Sequence, residues 1–103
     1  MTDLEITRFC AGAMEFKPDV RAKYRSLDSE FNGIWVNDGS LAYDPLHDDA
    51  QAMALVKKFE LELMSPASGN GGWKASDIDS DTYARSTDLN RAICECVAKM
   101  GAA

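Results

Sequence analysis

Apolar residues recur at helical spacing in three stretches of the chain. The first stretch carries Ile6, Phe9, Cys10 and Ala13, and the last carries Leu89, Ala92, Ile93, Cys96, Val97 and Met100. An apolar stripe repeated every three to four residues is typical of an amphipathic helix. In the middle stretch, residues 49–59, we expect Ala50, Met53 and Ala54 to face inward, with Leu55, Val56 and Phe59 widening the buried arc.

Polar residues ahead of the first two helices predict where each one begins. Thr2 with Glu5, and Asp48 with Gln51, have the spacing of a capping box, in which each residue's side chain bonds the other's backbone N–H. Pro45 has no N–H to donate to a strand ladder, so the strand that precedes it should end there. The middle helix is therefore predicted to begin at about residue 49.

Two hairpins are predicted between the helices. Residues 33–36 and 41–43 flank residues 37–40, whose Asp-Gly pair can adopt the positive φ angles of a tight turn. Residues 60–64 alternate as a strand does, and residues 73–76 follow as an antiparallel partner.

The last part of the chain allows two interpretations. Residues 82–85 either extend the second hairpin or lead directly into the last helix. We expect Ser86 or Thr87 to cap that helix and Gly101 to follow its end. The predicted order is α-β-β-α-β-β-α, an α+β fold with a mainly antiparallel sheet of three or four strands.

Length and composition fit one domain over residues 1–103, because 103 residues suffice for one core and not for two. No apolar run approaches the roughly 18 residues of a membrane span, and no signal peptide is evident, so we expect a cytoplasmic protein without a membrane partner. The three cysteines are expected to be reduced. Cys10 and Cys96 fall on apolar helix faces, whereas Cys94 falls off the main face of the last helix.

Three segments resemble the phage ABA-sandwich domain family: residues 43–59 (YDPLHDDAQAMALVKKF), residues 88–100 (DLNRAICECVAKM) and residues 2–7 (TDLEIT). The resemblance implies a three-layer α/β/α sandwich, with a sheet between helices. It also implies a bacteriophage or prophage origin, and hence the cytoplasm of an infected bacterial host. The family carries no catalytic motif to transfer, so the resemblance implies no reaction.

The sequence offers little for catalysis. His47 is the only histidine, and the aspartates that follow it have a role at a helix start. Residues 77–81 superficially suggest a calcium loop, but Thr82 stands where such a loop requires glycine, which favours a solvated acidic turn. No nucleophile elbow or phosphate loop is present. We therefore expect a protein that is not an enzyme and has no cofactor or metal.

A basic and aromatic set points to ligand binding instead. Four of the eleven basic residues lie within residues 17–25, around Tyr24, in a chain of net charge -6. Such a cluster can attract a small anion without the broad positive face that duplex nucleic acid needs. A nucleotide base can stack on the aromatic rings of the predicted hairpins and on Tyr83, which follows them. The candidate ligand-binding residues are Arg21, Lys23, Tyr24, Arg25, Trp35, Tyr43, Gly71, Gly72, Trp73, Lys74 and Arg85.

The same residues allow a structural interpretation, in which the basic cluster is a solvated loop, Trp35 and Trp73 are core residues and the glycines form a hairpin loop. Two function hypotheses stay open. In the first, a homo-oligomer binds a small nucleotide-derived anion and sequesters a host immune signal, with a pocket at a subunit boundary. In the second, the protein is an adaptor or inhibitor that recognises a partner through the acidic residues Glu60, Glu62, Asp77, Asp79 and Asp81.

Overall fold

The computed structural model describes residues 1–17, 34–37, 41–66 and 72–102, except the side chains of residues 35 and 102. In chain order, its elements are α1 (Asp3–Ala13), β1 (Ile34–Val36), β2 (Leu41–Tyr43), α2 (Asp49–Phe59), β3 (Glu62–Met64), β4 (Trp73–Asp77), β5 (Thr82–Ser86) and α3 (Leu89–Ala102). The predicted α+β class is confirmed. The strands of both predicted hairpins pair, whereas the Asp-Gly pair of the first turn lies outside the described residues. The open question about residues 82–85 is decided in favour of a strand.

The strands form two antiparallel sheets within the described residues. In the smaller sheet β1 pairs with β2, and Val36 lies opposite Leu41. In the larger sheet β4 lies between β3 and β5. Leu63, Ala75 and Ala84 lie in one row across this sheet, and both alanines are buried. This row therefore marks the side of the sheet that faces the core.

Helix α3 lies at the centre of the core. It contacts β4 and β5 of the larger sheet, and it also contacts α1 and α2. Its fully buried residues are Ala92, Ile93, Cys94, Cys96, Val97 and Ala98. The sequence predicted a single apolar stripe here, but a helix covered by a sheet and by two helices has to be apolar over more of its circumference.

The two predicted capping boxes differ in the structure. At α1 the box is complete, because Thr2 Oγ1 accepts a hydrogen bond from Glu5 N at 3.2 Å and Glu5 Oε1 accepts one from Thr2 N at 3.2 Å. At α2 only half of the box forms, in which the Asp48 side chain accepts a hydrogen bond from Gln51 N at 3.0 Å. The side chain of Gln51 instead accepts from Asp44 N at 2.7 Å and donates to the carbonyl oxygen of Ala42 at 2.9 Å, which ties α2 to β2.

The predicted ends of the last helix were wrong. Asp88 occupies the capping position, where its Oδ2 accepts a hydrogen bond from Arg91 N at 3.0 Å. Ser86 cannot fill this position because it is the last residue of β5, paired with Trp73. Its hydroxyl instead accepts from Asp88 N at 3.2 Å. Gly101 lies inside α3 rather than after it.

The predicted inward face of α2 was wrong at Ala50 and Met53, but Leu55 of the predicted arc is buried. Ala52 and Leu55 are the buried residues of this helix, whereas Ala50 and Met53 are exposed. Helix α2 packs mainly against α3, so part of its apolar arc stays at the surface. The broad apolar arc in the sequence leaves Met53 on the surface.

All three cysteines are free thiols and fully buried, including Cys94, which the helical pattern had placed off the main face. Cys10 Sγ donates to the carbonyl oxygen of Cys94 at 3.6 Å, and Cys96 Sγ donates to that of Thr82 at 3.7 Å. The neighbouring thiol of Cys10, together with burial, raises the pKa of the Cys94 thiol, and burial raises the pKa of Cys96. Both effects keep these sulfurs protonated and unreactive.

We expect the native protein to show no thiol that reacts rapidly with Ellman's reagent. In the denatured protein all three thiols should react, with release of the coloured thionitrobenzoate. Burial excludes the reagent, and the raised pKa values suppress the nucleophilic thiolate. The measurement is the absorbance time course with and without denaturant. Rapid release from the native protein would contradict the buried positions of these side chains.

Candidate ligand-binding site

One side of the larger sheet faces away from α3 and is called the open face here. Side chains alternate across a sheet, so the residues between the buried positions point outward. The open face consists of Glu62, Met64, Lys74, Ser76, Tyr83 and Arg85. Met64 and Tyr83 are large apolar or aromatic side chains with substantial exposure there. Such residues on a solvated sheet face mark a candidate contact surface.

The ring of Tyr83 is the centre of the open face. It is 51% exposed, and the Nζ atom of Lys74 lies 4.8 Å from its centroid. Lys99 reaches the same ring from α3, with Nζ 5.9 Å from the centroid, and donates a hydrogen bond to the carbonyl oxygen of Tyr83 at 3.1 Å. Two ammonium groups thus lie within cation–π range of one accessible ring.

A shallow cavity of about 200 Å³ lies beside this ring. Tyr83 and Lys74 line it, together with the carboxylates of Glu62, Asp77 and Asp81. The turn beside it is organised by Ser80, whose Oγ donates to Asp77 Oδ2 at 2.6 Å. The cavity therefore offers one cation, the ammonium group of Lys74, together with several hydrogen-bond acceptors.

The structure brings two predicted residues together with Tyr83. Lys74 and Arg85 lie directly opposite each other on β4 and β5, and both belong to the open face. Trp73 does not join them, because it precedes Lys74 on the strand and so points to the other side of the sheet. There it is half-buried and packs against the core, which supports the structural interpretation of this tryptophan.

Gly72 is needed for backbone reasons. Its φ angle is +123°, and a Cβ atom there would lie 2.8 Å from the carbonyl oxygen of Ser86. Only glycine tolerates both conditions. The residue therefore lets the chain enter β4 beside the end of β5, and this role is independent of any ligand.

Tyr43 lies in the core. It is 2% exposed, and its ring meets that of Phe16 edge to face, with centroids 5.2 Å apart. Burial raises its pKa, and its hydroxyl has no hydrogen-bond partner among the described residues. The ring of Tyr43 thus presents no exposed face on which a base could stack.

The remaining predicted site residues lie outside the described part of the chain. These are Arg21, Lys23, Tyr24, Arg25 and Gly71, and for Trp35 only the backbone, in β1, is described. The basic cluster around Tyr24 stays a prediction. Lys99 is a residue that sequence reasoning missed, because a lysine near a helix end is ordinarily explained by the helix dipole.

Two other properties concern the described residues. They contain no group of three or more histidine, cysteine, aspartate or glutamate side chains arranged to hold a metal ion. The helices of this part of the chain are also too short or too polar to cross a membrane.

Gly72→Ala is expected to lower the free energy of unfolding by about 2 kcal/mol or more, because it combines backbone strain with a close contact to Ser86. Gly12→Ala is the matched control, since a Cβ at Gly12 meets nothing within 4 Å among the described residues. It should be neutral or stabilise by up to about 1 kcal/mol. Urea unfolding measures both variants, and equal effects would contradict the assigned role of Gly72.

Tyr43→Phe is expected to leave the free energy of unfolding unchanged or raise it by up to about 1 kcal/mol, because the lost hydroxyl is buried without a partner. Tyr43→Ala should cost about 3–5 kcal/mol, which would show that the assay detects damage at this position. If Tyr43→Phe lowers the free energy of unfolding by more than about 1 kcal/mol, the hydroxyl makes a hydrogen bond, because such a bond contributes about 1 kcal/mol.

Comparison with known proteins adds no relative. No family model matches the chain, and neither a curated protein sequence nor a solved structure matches it. The likeness to the phage ABA-sandwich family therefore stays a prediction that rests on the three segments quoted above.

Proposed function

We propose that this protein is a non-enzymatic binder of a small anionic, nucleotide-derived ligand, which it holds on the open face. The observation that carries the proposal is the half-exposed Tyr83 ring with the ammonium groups of Lys74 and Lys99 at 4.8 and 5.9 Å from its centroid. A nucleotide combines the two groups that such a site attracts, an aromatic base and a phosphate.

Stacking on Tyr83 supplies one part of the affinity. A base on an accessible aromatic ring contributes about 1–3 kcal/mol in proteins that bind single strands. The two lysines supply the other part, since their positive charges attract a phosphate placed at the edge of the ring. Lys99 is held beside Tyr83 by its hydrogen bond to the backbone, which reduces the entropy lost on binding.

The carboxylates of the cavity limit what can bind. Glu62 and Asp77 can accept hydrogen bonds from base amino groups or ribose hydroxyls. They also repel any further phosphate that reaches their side of the cavity. Together with the net charge of -6, this favours a small ligand with few phosphates over duplex nucleic acid, which requires many cationic contacts.

The biological role we propose is sequestration of a host immune nucleotide signal. Affinity alone removes such a signal, so no catalytic group is needed. Phage origin, location in the infected host's cytoplasm and assembly as a homo-oligomer belong to the same proposal. They rest on the resemblance of the three segments and on the small size of the cavity, which a second subunit would enlarge.

The adaptor hypothesis has one supporting observation of its own. Ile78 is 70% exposed in the acidic turn between β4 and β5, flanked by Asp77 and Asp79. A protruding apolar side chain among carboxylates suits a basic partner with an apolar pocket. We rank this second, because an exposed turn residue is common on protein surfaces, whereas two cations on one exposed ring are not.

The test is a thermal-shift screen of the purified protein against linear and cyclic mono- and dinucleotides and nucleotide sugars, followed by calorimetry. At least one of these probes should raise the melting temperature and be recovered chemically intact by mass spectrometry. A ligand at 100 times its dissociation constant adds about 2.7 kcal/mol to stability, which is readily measured in a domain of this size.

Variants assign the site. Tyr83→Ala should weaken binding of the hit about 5- to 150-fold, and Tyr83→Phe should keep most of the affinity because it keeps the ring. Lys57→Gln is the charge control, because Lys57 is exposed on α2, away from the open face. Hydrolysis of the hit would overturn the non-enzymatic proposal. If no probe binds, or if Tyr83→Ala binds normally, the proposed site is wrong.

A further inference from the structure

The charges of the open face follow an order along the strands. Glu62, Ser76 and Tyr83 are direct partners across β3, β4 and β5, so their side chains form one row. The next row on this face lies two residues along the strands, about 7 Å away, and brings Lys74 opposite Arg85. The open face therefore places a carboxylate and an aromatic ring in one row and two cationic side chains in the next.

Ser76 leaves a gap in the first of these rows. Neighbouring strands lie about 4.8 Å apart, so the Cα atoms of Glu62 and Tyr83 are about 10 Å apart. The short side chain of Ser76 occupies the position between them, and all three residues line the cavity of about 200 Å³. An occupant of this gap therefore meets the Tyr83 ring on one side and the Glu62 carboxylate on the other.

The lysine that lines this cavity is directed to the ring rather than to the carboxylate. Lys74 extends from β4 towards β5, with its Nζ atom 4.8 Å from the centroid of the Tyr83 ring. Glu62 lies on β3, on the opposite side of β4, and its side chain makes no hydrogen bond or ion pair with another described residue. Within the described part of the chain, both oxygens of Glu62 therefore keep their capacity to accept hydrogen bonds from a ligand.

Glu62 also differs from the other two carboxylates that line the cavity. Asp77 is already engaged, since its Oδ2 accepts a hydrogen bond from Ser80 Oγ at 2.6 Å. Asp81 belongs to the turn between β4 and β5 rather than to either strand. Of the three, Glu62 is the one that lies in the row of Tyr83, so its carboxylate is the acceptor for a base that stacks on that ring.

A carboxylate that receives a base at its Watson–Crick edge favours guanine. The carboxylate offers two acceptor oxygens and no donor. Guanine presents two neighbouring donors on this edge, N1–H and the N2 amino group, which match the two oxygens. Adenine and cytosine present an amino donor beside a ring nitrogen whose lone pair repels the carboxylate, and uracil presents one N–H between two carbonyl oxygens. Guanine is therefore the common base that can donate to both oxygens of Glu62 at once.

We propose that the ligand of the open face is a guanine nucleotide. Its base lies above Ser76 and stacks on Tyr83, its N1–H and N2 amino groups donate to Glu62, and a phosphate meets the ammonium group of Lys74 in the next row. The order of charges selects this orientation, since the opposite one would bring the phosphate to the carboxylate. This inference rests on the function proposed above and narrows its ligand to nucleotides that contain guanine.

Two matched pairs of probes test the base: GMP with AMP, and cyclic di-GMP with cyclic di-AMP. Within each pair the sugar and phosphate are identical, so the ratio of the two affinities reports the base alone. In calorimetry, the guanine member of each pair that binds should bind at least about tenfold more tightly, because hydrogen bonds to a charged acceptor are the stronger kind. IMP, which keeps N1–H and lacks the N2 amino group, should fall between GMP and AMP.

Glu62→Gln tests which side chain contacts the base edge. It should reduce the guanine preference towards one, because the glutamine amide replaces one acceptor by a donor. The loss of its negative charge affects both members of a pair alike and cancels in the ratio. Glu60→Gln is the matched control and should keep the full preference, since Glu60 follows α2 and precedes β3. Lys74→Gln should weaken both members of a pair equally, because both carry the same phosphate.

The outcomes separate this inference from the function on which it rests. If nucleotides bind in a manner that requires Tyr83 but the guanine members have no advantage, the inference is wrong and the proposed function stands. The same holds if Glu62→Gln keeps the preference, or if Glu60→Gln loses it as well. If none of the nucleotides binds, both proposals are wrong.

Discussion

The fold depends on the close approach of α3 to the larger sheet on one side and to α1 on the other. Ala75 and Ala84 on the sheet, and Ala92, Ala98 and the cysteines on the helix, are small and fully buried. Small side chains let backbones approach, so that weak dispersion contacts add up over a close-packed surface. Larger residues in this layer would push α3 away from the sheet and open the core to water.

Sequence patterns predicted where helices and strands form better than they predicted which of their sides are buried. Both hairpins and all three described helices follow from periodicity and turn residues, which act locally. The inward face of α2 and the burial of Cys94 could not be predicted, because both depend on which elements pack against a helix from a distance. The bonds of Gln51 show the same limit, since its spacing suited a capping box but β2 offered its side chain better partners.

The candidate site was predicted in part for the same reason. Lys74 and Arg85 are brought together by the pairing of β4 with β5, which alternation anticipates once both strands are recognised. Trp73 and Tyr43 looked equally suitable in the sequence, yet strand geometry turns both towards the interior. Lys99 comes from another element altogether, and only the packing of α3 beside β5 places its ammonium group near the Tyr83 ring.

The hydrogen bond between Cys10 and Cys94 joins two residues that lie 84 positions apart in the chain. The hydrogen bond between Asp44 and Gln51 joins residues only 7 positions apart. Loop closure costs more for distant partners, so the β2–α2 unit can organise early, whereas the core waits for α3. Because α3 follows all the other described elements in the chain, α1 and both sheets emerge from the ribosome before the helix that buries them. The growing chain therefore exposes apolar surface until residues 89–102 have been synthesised, and incomplete chains that expose such surface are prone to aggregation.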